Sequence, residues 1–141
     1  MVASGWGRVI NISSVHGLVA SVNKSAYVSA KHGIVGFTKA VALEYAKKGI
    51  TCNAICPGWV FTPLIEKQIN IIAERDKISF DDAYVKLVSE KQPSGKASTT
   101  EDLGELAAFL VSDNARQVNG AAWTMDGGWT AQWLSLNCWT Y

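Results

Sequence analysis

Three short apolar runs, each separated from the next by helical sequence, limit what this chain can fold into. Arg8-Val-Ile-Asn-Ile-Ser13 is β-branched and almost continuously apolar. That pattern predicts a strand buried on both faces, as in a parallel sheet. Ile50 to Cys56 is a second such run, broken by Pro57-Gly58. Ala121 to Met125 is a third, closed by Asp126-Gly127-Gly128. Between the first two, Ala26, Ala30, Gly33, Ile34, Phe37, Val41 and Tyr45 recur at intervals of three and four. They predict one long helix, Ser25 to Lys48, with a single packed face. Gly49 stops it, since glycine tolerates the left-handed conformation found after helix ends. Between the second and third runs the periodicity predicts helices over about 64–75 and 80–90, then a polar loop from Lys91 to Thr99. Ser98-Thr-Thr-Glu101 is a capping-box signal, and Leu103, Leu106, Ala107, Leu110 and Val111 follow it as an amphipathic helix. Strands that alternate with helices imply an α/β fold with a parallel sheet.

A chain of 141 residues accommodates one domain. Hydrophobic residues make up 48%, enough for a core. Lysine and arginine number 13 against 12 acidic residues, and this balance argues against a nucleic-acid partner. No apolar run reaches the roughly 18–20 residues that span a bilayer. Residues 1–7 carry no long apolar leader core. The expectation is a soluble, cytoplasmic protein with no membrane partner. Cys52 and Cys56 lie on one strand about 13 Å apart, too far for a disulfide, and read as buried thiols. With only His16 and His32 in the chain, no zinc-type cluster is expected. Trp133 to Tyr141 carries two tryptophans, Cys138 and no charge, and reads as an apolar tail beyond a domain of residues 1–132.

Tyr27 and Lys31 are four apart on a helix, so they share one face. A cation beside a phenol favours the phenolate, and a phenol so tuned can exchange a proton with a substrate hydroxyl. The pair opens the helix that follows the first strand, and that strand ends in Ser13-Ser14. Open parallel sheets place ligands at the carboxyl ends of their strands. Ser14, Tyr27 and Lys31 are therefore expected to converge on one crevice. His32 points away from the Tyr27 face and reads as structural. Glu66 and Asp126 have no visible acidic partner, and Asp126 reads as a turn residue.

Ser14, Tyr27-Val-Ser-Ala-Lys31 and Asn53-Ala-Ile-Cys-Pro57-Gly58 together resemble the pattern of the short-chain dehydrogenase/reductase family. The resemblance implies a doubly wound, Rossmann-type parallel sheet and hydride transfer between a nicotinamide cofactor and a carbonyl–alcohol pair. It implies Ser14 as the group polarising the reacting oxygen and Tyr27 as general acid/base. Lys31 would hold the nicotinamide ribose and tune Tyr27. Pro57, Gly58, Val60 and Thr62 would line the nicotinamide side. Ile12-Ser-Ser-Val-His16-Gly17, Ala54-Ile-Cys-Pro-Gly-Trp-Val60, Lys67-Gln68-Ile69 and Asp126-Gly-Gly-Trp129 further resemble the bacterial D-3-hydroxybutyrate dehydrogenase branch. That branch implies NAD as cofactor and 3-hydroxybutyrate and acetoacetate as the substrate pair. It implies His16, Lys24 and Gln68 around a small carboxylate. Trp59 and Trp129 then fit as the apolar wall for a four-carbon chain. A homotetramer assembled through the long helix is implied as well.

The resemblance covers residues 5–132 and corresponds to the second, C-terminal half of the family's fold. The strands of the N-terminal half, their glycine-rich turn, the acidic residue that selects NAD and the active-site asparagine have no counterpart in this sequence. Two expectations follow: the first strand presents an unpaired edge, and the chain alone binds NAD weakly or not at all. Two rival readings remain. One is a 3-oxoacyl carrier-protein reductase-like enzyme, against which Trp59, Trp129 and Lys24 argue because they predict a small anionic pocket. The other is a non-catalytic, truncated subunit that assembles with a full-length partner.

Overall fold

The computed structural model describes residues 1–132; the apolar tail and Cys138 lie outside the described residues. The strands are β1 (Gly7–Ile12), β2 (Ile50–Pro57) and β3 (Ala122–Met125). They form one parallel sheet in the order β1-β2-β3. Helix α1 (Ser25–Tyr45) connects β1 to β2. Helices α2 (Pro63–Asp76), α3 (Phe80–Ser89) and α4 (Thr100–Val111) lie between β2 and β3. Element type and order match the expectation from sequence throughout. Gly49 ends the α1 segment with φ 70°, as its position predicted.

β2 is the centre. Every residue from Ile50 to Pro57 is buried, because the strand has a neighbour on each side and helices over it. Its alternate side chains Ala54 and Cys56 pack against Val35 of α1. Cys52 and Cys56 are free, buried thiols. Asn119 and Asn53 tie the approach to β3 onto this strand. Asn119 Oδ1 accepts from Cys52 N at 2.8 Å, and Asn53 Nδ2 donates to Val118 O at 2.8 Å.

Three expectations need correction. β1 is not buried on both faces: most of it is half-buried and Ile12 is 52% exposed. The reason is that β1 pairs only with β2 among the described residues, so its other edge is open, as the second expectation for this strand had it. The buried face of α1 is Val35, Thr38 and Ala42, whereas Ala26, Ala30, Gly33 and Phe37 of the anticipated stripe are exposed. The helix carries two apolar faces, and the sheet takes the other one. The capping box is Thr99 with Asp102, not Ser98 with Glu101. Ser98 is already engaged through its backbone, accepting from Phe61 N and donating to Trp59 O.

Candidate active site

The carboxyl ends of β1 and β2 and the turn after β3 open onto a cleft of about 480 Å³. Ser14, His16, Lys24, Tyr27, Gly58, Trp59, Val60, Thr62 and Trp129 all line it. Nine of the twelve residues singled out from sequence therefore meet in one place.

Ser14 caps a single 3-10 turn, Val15–Gly17, that leaves β1. Its Oγ accepts from His16 N at 3.2 Å. The turn lies directly against α1 because residue 17 is glycine. A Cβ there would come within 2.5 Å of Ser13 Oγ and 2.8 Å of Lys31 O. Ser13 Oγ secures the same junction by donating to Lys31 O at 3.0 Å. Lys31 Nζ reaches back to donate to Ile12 O at 3.0 Å and sits 5.6 Å from the centre of the Tyr27 ring. Strand end and helix start are thus joined by Lys31, with Tyr27 one turn earlier and 47% exposed at the cleft. Lys31 itself, Pro57 and Gln68 are not among the lining residues. Pro57 is the buried last residue of β2. Gln68 is half-buried on α2, one turn beyond Leu64 and Ile65, which do face the cleft.

His16 is 5% exposed and holds the centre of the floor. Its ring meets Tyr27 edge-on at 5.8 Å and Trp129 edge-on at 5.6 Å. Burial, helped by the Lys24 cation, pushes its pKa below the ordinary histidine value. Lys24 follows Asn23, which takes a left-handed φ of 61°, a conformation asparagine tolerates better than most side chains. That kink delivers Lys24 to the rim at the start of α1. His32 Nδ1 bonds Val28 O within its own helix at 3.0 Å, in keeping with a structural reading.

The opposite wall is Trp59 against Trp129, with ring centres 5.9 Å apart. Each is placed by a buried polar group. Asp126 accepts from Thr130 N at 2.8 Å, Thr130 Oγ1 at 2.6 Å and Gly128 N at 3.1 Å. It is therefore the turn residue expected, and it carries Trp129 inward. Burial opposes its charge, but these bonds outweigh it and hold its pKa below the usual carboxylate value. Gln92 is the residue that sequence reasoning missed. It is 1% exposed, its Oε1 accepts from Trp59 N at 3.0 Å, and its Nε2 donates to Lys96 O. Gly58 makes room for it, since a Cβ there would come within 2.5 Å of Gln92 Oε1. A lone glutamine in a polar loop offers no periodicity or motif that marks it as buried.

Thr62 is the N-cap of α2, yet its hydroxyl makes no capping bond. An N-cap threonine normally satisfies the N–H of N2 or N3. Here it does not, and the residue lines the cleft.

A family model described as enoyl-(acyl carrier protein) reductase matches residues 1–130. D-beta-hydroxybutyrate dehydrogenase of Cupriavidus necator is 62% identical over 127 residues, which is 90% of this chain and 49% of that protein. The protein of the same name from Rhizobium meliloti is 53% identical over 132 residues, 94% of this chain and 51% of that one. Among solved structures, an actinorhodin polyketide ketoreductase with NADPH superimposes with a TM-score of 0.82 at 35% identity, over 94% of this chain and 50% of its own. The chain spans about half the length of the curated relatives it matches. From Ser14 and the Tyr27–Lys31 pair to the extent of the family match, sequence and structure agree: the chain belongs to the short-chain dehydrogenase/reductase family.

Proposed function

We propose that this chain supplies the catalytic half of an NAD-dependent 3-hydroxybutyrate dehydrogenase, which oxidises (R)-3-hydroxybutyrate to acetoacetate. The observation that carries the reading is the joint presence of Ser14, Tyr27 and Lys24 on one cleft walled by Trp59 and Trp129. A phenol, a hydroxyl and a cation on a small, largely apolar cleft suit a short hydroxy acid.

In the oxidative direction, Ser14 donates a hydrogen bond to the C3 oxygen. Tyr27, as phenolate, takes the hydroxyl proton. Lys31 Nζ stands 5.6 Å from the centre of the Tyr27 ring. A nicotinamide, when bound, would supply the acceptor for the hydride that leaves C3. The free hydroxyl of Thr62 and the close backbone at Gly58 suit that side of the cleft, with Pro57 and Val60 completing it. Lys24 meets the substrate carboxylate as an ion pair, with His16 and Gln68 as neutral donors. Gln68 takes part only if α2 turns or moves toward the cleft. Burial by Trp59 and Trp129 strengthens the ion pair by excluding water.

NAD is proposed over NADP on the resemblance to the hydroxybutyrate branch. The enzyme is proposed to be a cytoplasmic homotetramer. The exposed face of α1, where Phe37 is 57% and Leu43 81% exposed, supports association. The test is a chimera in which residues 1–132 replace the matching half of the Cupriavidus necator relative. It should turn over (R)-3-hydroxybutyrate with NAD faster than with NADP, and it should leave 2-butanol nearly untouched. Equal rates on the uncharged alcohol would refute the carboxylate site.

A further inference from the structure

The active cleft lies at the carboxyl ends of the strands. At their amino ends a second cleft, of about 370 Å³, opens on the other side of the molecule's sheet. Arg8 of β1 and Thr51 of β2 are register partners there, and Trp6, Asp113, Arg116 and Gln117 line the same space. Arg8 and Ser14 are six residues apart on nearly extended chain, so about 20 Å separates this cleft from the reacting centre.

Two guanidinium groups reach the second cleft from different elements. Arg8 comes from the sheet, and its side chain is only 6% exposed. A guanidinium has five N–H donors. Nη1 of Arg8 serves Gly7 O at 2.9 Å and Gly49 O at 3.4 Å. Nε has no partner among the described residues. Nη2 stands 3.9 Å from Asp113 Oδ1, which is beyond hydrogen-bond length. The Asp113 side chain is 89% exposed, and a solvated carboxylate without a hydrogen bond compensates a buried cation weakly. Arg116 comes from the segment after α4, is exposed, and donates from Nη1 to Asp113 O at 3.5 Å. The lining thus sets two cations against one acid.

We propose that this cleft is a second ligand site, which binds a phosphate group carried by a small monoester. A tetrahedral phosphate presents several oxygens and can accept from two guanidiniums on separate elements, whereas a carboxylate matches the planar fork of one. Thr51 and Gln117 add neutral polar groups beside them. The cleft is larger than a bare phosphate ion. Trp6, 51% exposed with Arg8 Cζ 5.0 Å from its ring centre, gives an organic stem an apolar surface to lie on. The site uses neither Ser14 nor Tyr27, so it stands apart from the reading of the active cleft.

The test is a titration of the 15N-labelled 141-residue chain with glycerol 3-phosphate, followed by amide NMR at constant ionic strength in a zwitterionic buffer. Inorganic phosphate and acetate are the comparison ligands. Saturable shifts are expected at Arg8, Thr51 and residues 113–117, with the amides around Ser14 and Tyr27 unmoved. The ester should bind more tightly than inorganic phosphate, and acetate far more weakly than either. Arg116→Gln, at an exposed position, should raise the Kd about tenfold or more. Asp113→Asn removes the one acid among the lining residues and should lower it. No saturable shift, shifts matched by acetate, or an Arg116→Gln chain that binds as before would overturn the site. Equal affinity for inorganic phosphate would overturn the assignment to an ester. The wild-type titration alone decides if a variant does not fold.

Discussion

Replacing Gly58 by alanine places a methyl group where the wall of the cleft is tied together. The new Cβ would stand 2.5 Å from Gln92 Oε1, 3.0 Å from Asp126 Cα and 3.2 Å from Asp126 Cβ. The first contact can be relieved by moving Gln92, but that gives up its bond from Trp59 N. The second is backbone and retreats only if the Asp126 turn shifts. Overpacking of this kind costs about 1–3 kcal/mol, and loss of a buried hydrogen bond adds about 1 kcal/mol. Gly58→Ala is therefore expected to destabilise the chain by about 2–4 kcal/mol. At a urea m-value of about 1.5 kcal/mol/M the midpoint falls by about 1–3 M. Gln92→Ala should cost about 2–4 kcal/mol, because it leaves Trp59 N unpaired and Lys96 O with only the Ser94 hydroxyl beside a void. In the double variant the methyl enters space that the glutamine has left. The two effects should then fall short of additivity by at least about 0.5 kcal/mol. Urea denaturation of the four proteins, followed by circular dichroism, completes the cycle. Additive effects, or a Gly58→Ala chain as stable as wild type, would refute the account of this wall.

Three further outcomes are expected. In the chimera, Lys24→Ala should raise KM for 3-hydroxybutyrate about tenfold or more with a smaller change in kcat, since a charged bond to substrate is worth about 1.5 kcal/mol or more. Steady-state kinetics decide it, and an unchanged KM would remove Lys24 from the site. The lowered pKa of Asp126 makes its stabilisation complete above the unfolded value of about 3.9 and lost as pH falls through the folded value. Urea midpoints between pH 7 and pH 3 should therefore drop more steeply for wild type than for Asp126→Asn, and parallel curves would contradict this. Isothermal calorimetry of NAD into the 141-residue chain should detect weak binding or none, and a micromolar Kd would overturn that expectation.

Much of the fold is legible in the sequence because its signals are local. β2 reads correctly as a fully buried strand, and Gly49 as the helix stop, from their own residues. What is misread depends on neighbours. On α1 the stripe through Ala26, Ala30 and Phe37 has sound helical periodicity, but periodicity does not say which of two apolar faces a sheet will take. At the start of α4, Ser98 and Thr99 both precede an acid by three residues. The choice falls to Thr99 because the Ser98 backbone is bound to Trp59 and Phe61. The site divides in the same way. Ser14, Tyr27 and Lys31 carry a motif, and the strand end brings them together. Gln68 carries only a resemblance, and α2 keeps it off the cleft. Gln92 acts through a contact with Trp59, distant in sequence, and no spacing announces it.

The central claim is that residues 1–132 hold the proton-transfer machinery of a hydroxy-acid dehydrogenase. Formation of NADH from (R)-3-hydroxybutyrate by the chimera, with and without Tyr27→Phe, tests it most directly. The account predicts turnover in the parent chimera and a loss of about 10²–10⁴-fold in Tyr27→Phe, with the fold retained. A folded parent chimera that does not turn over, or a Tyr27→Phe variant that keeps the parent rate, would contradict it.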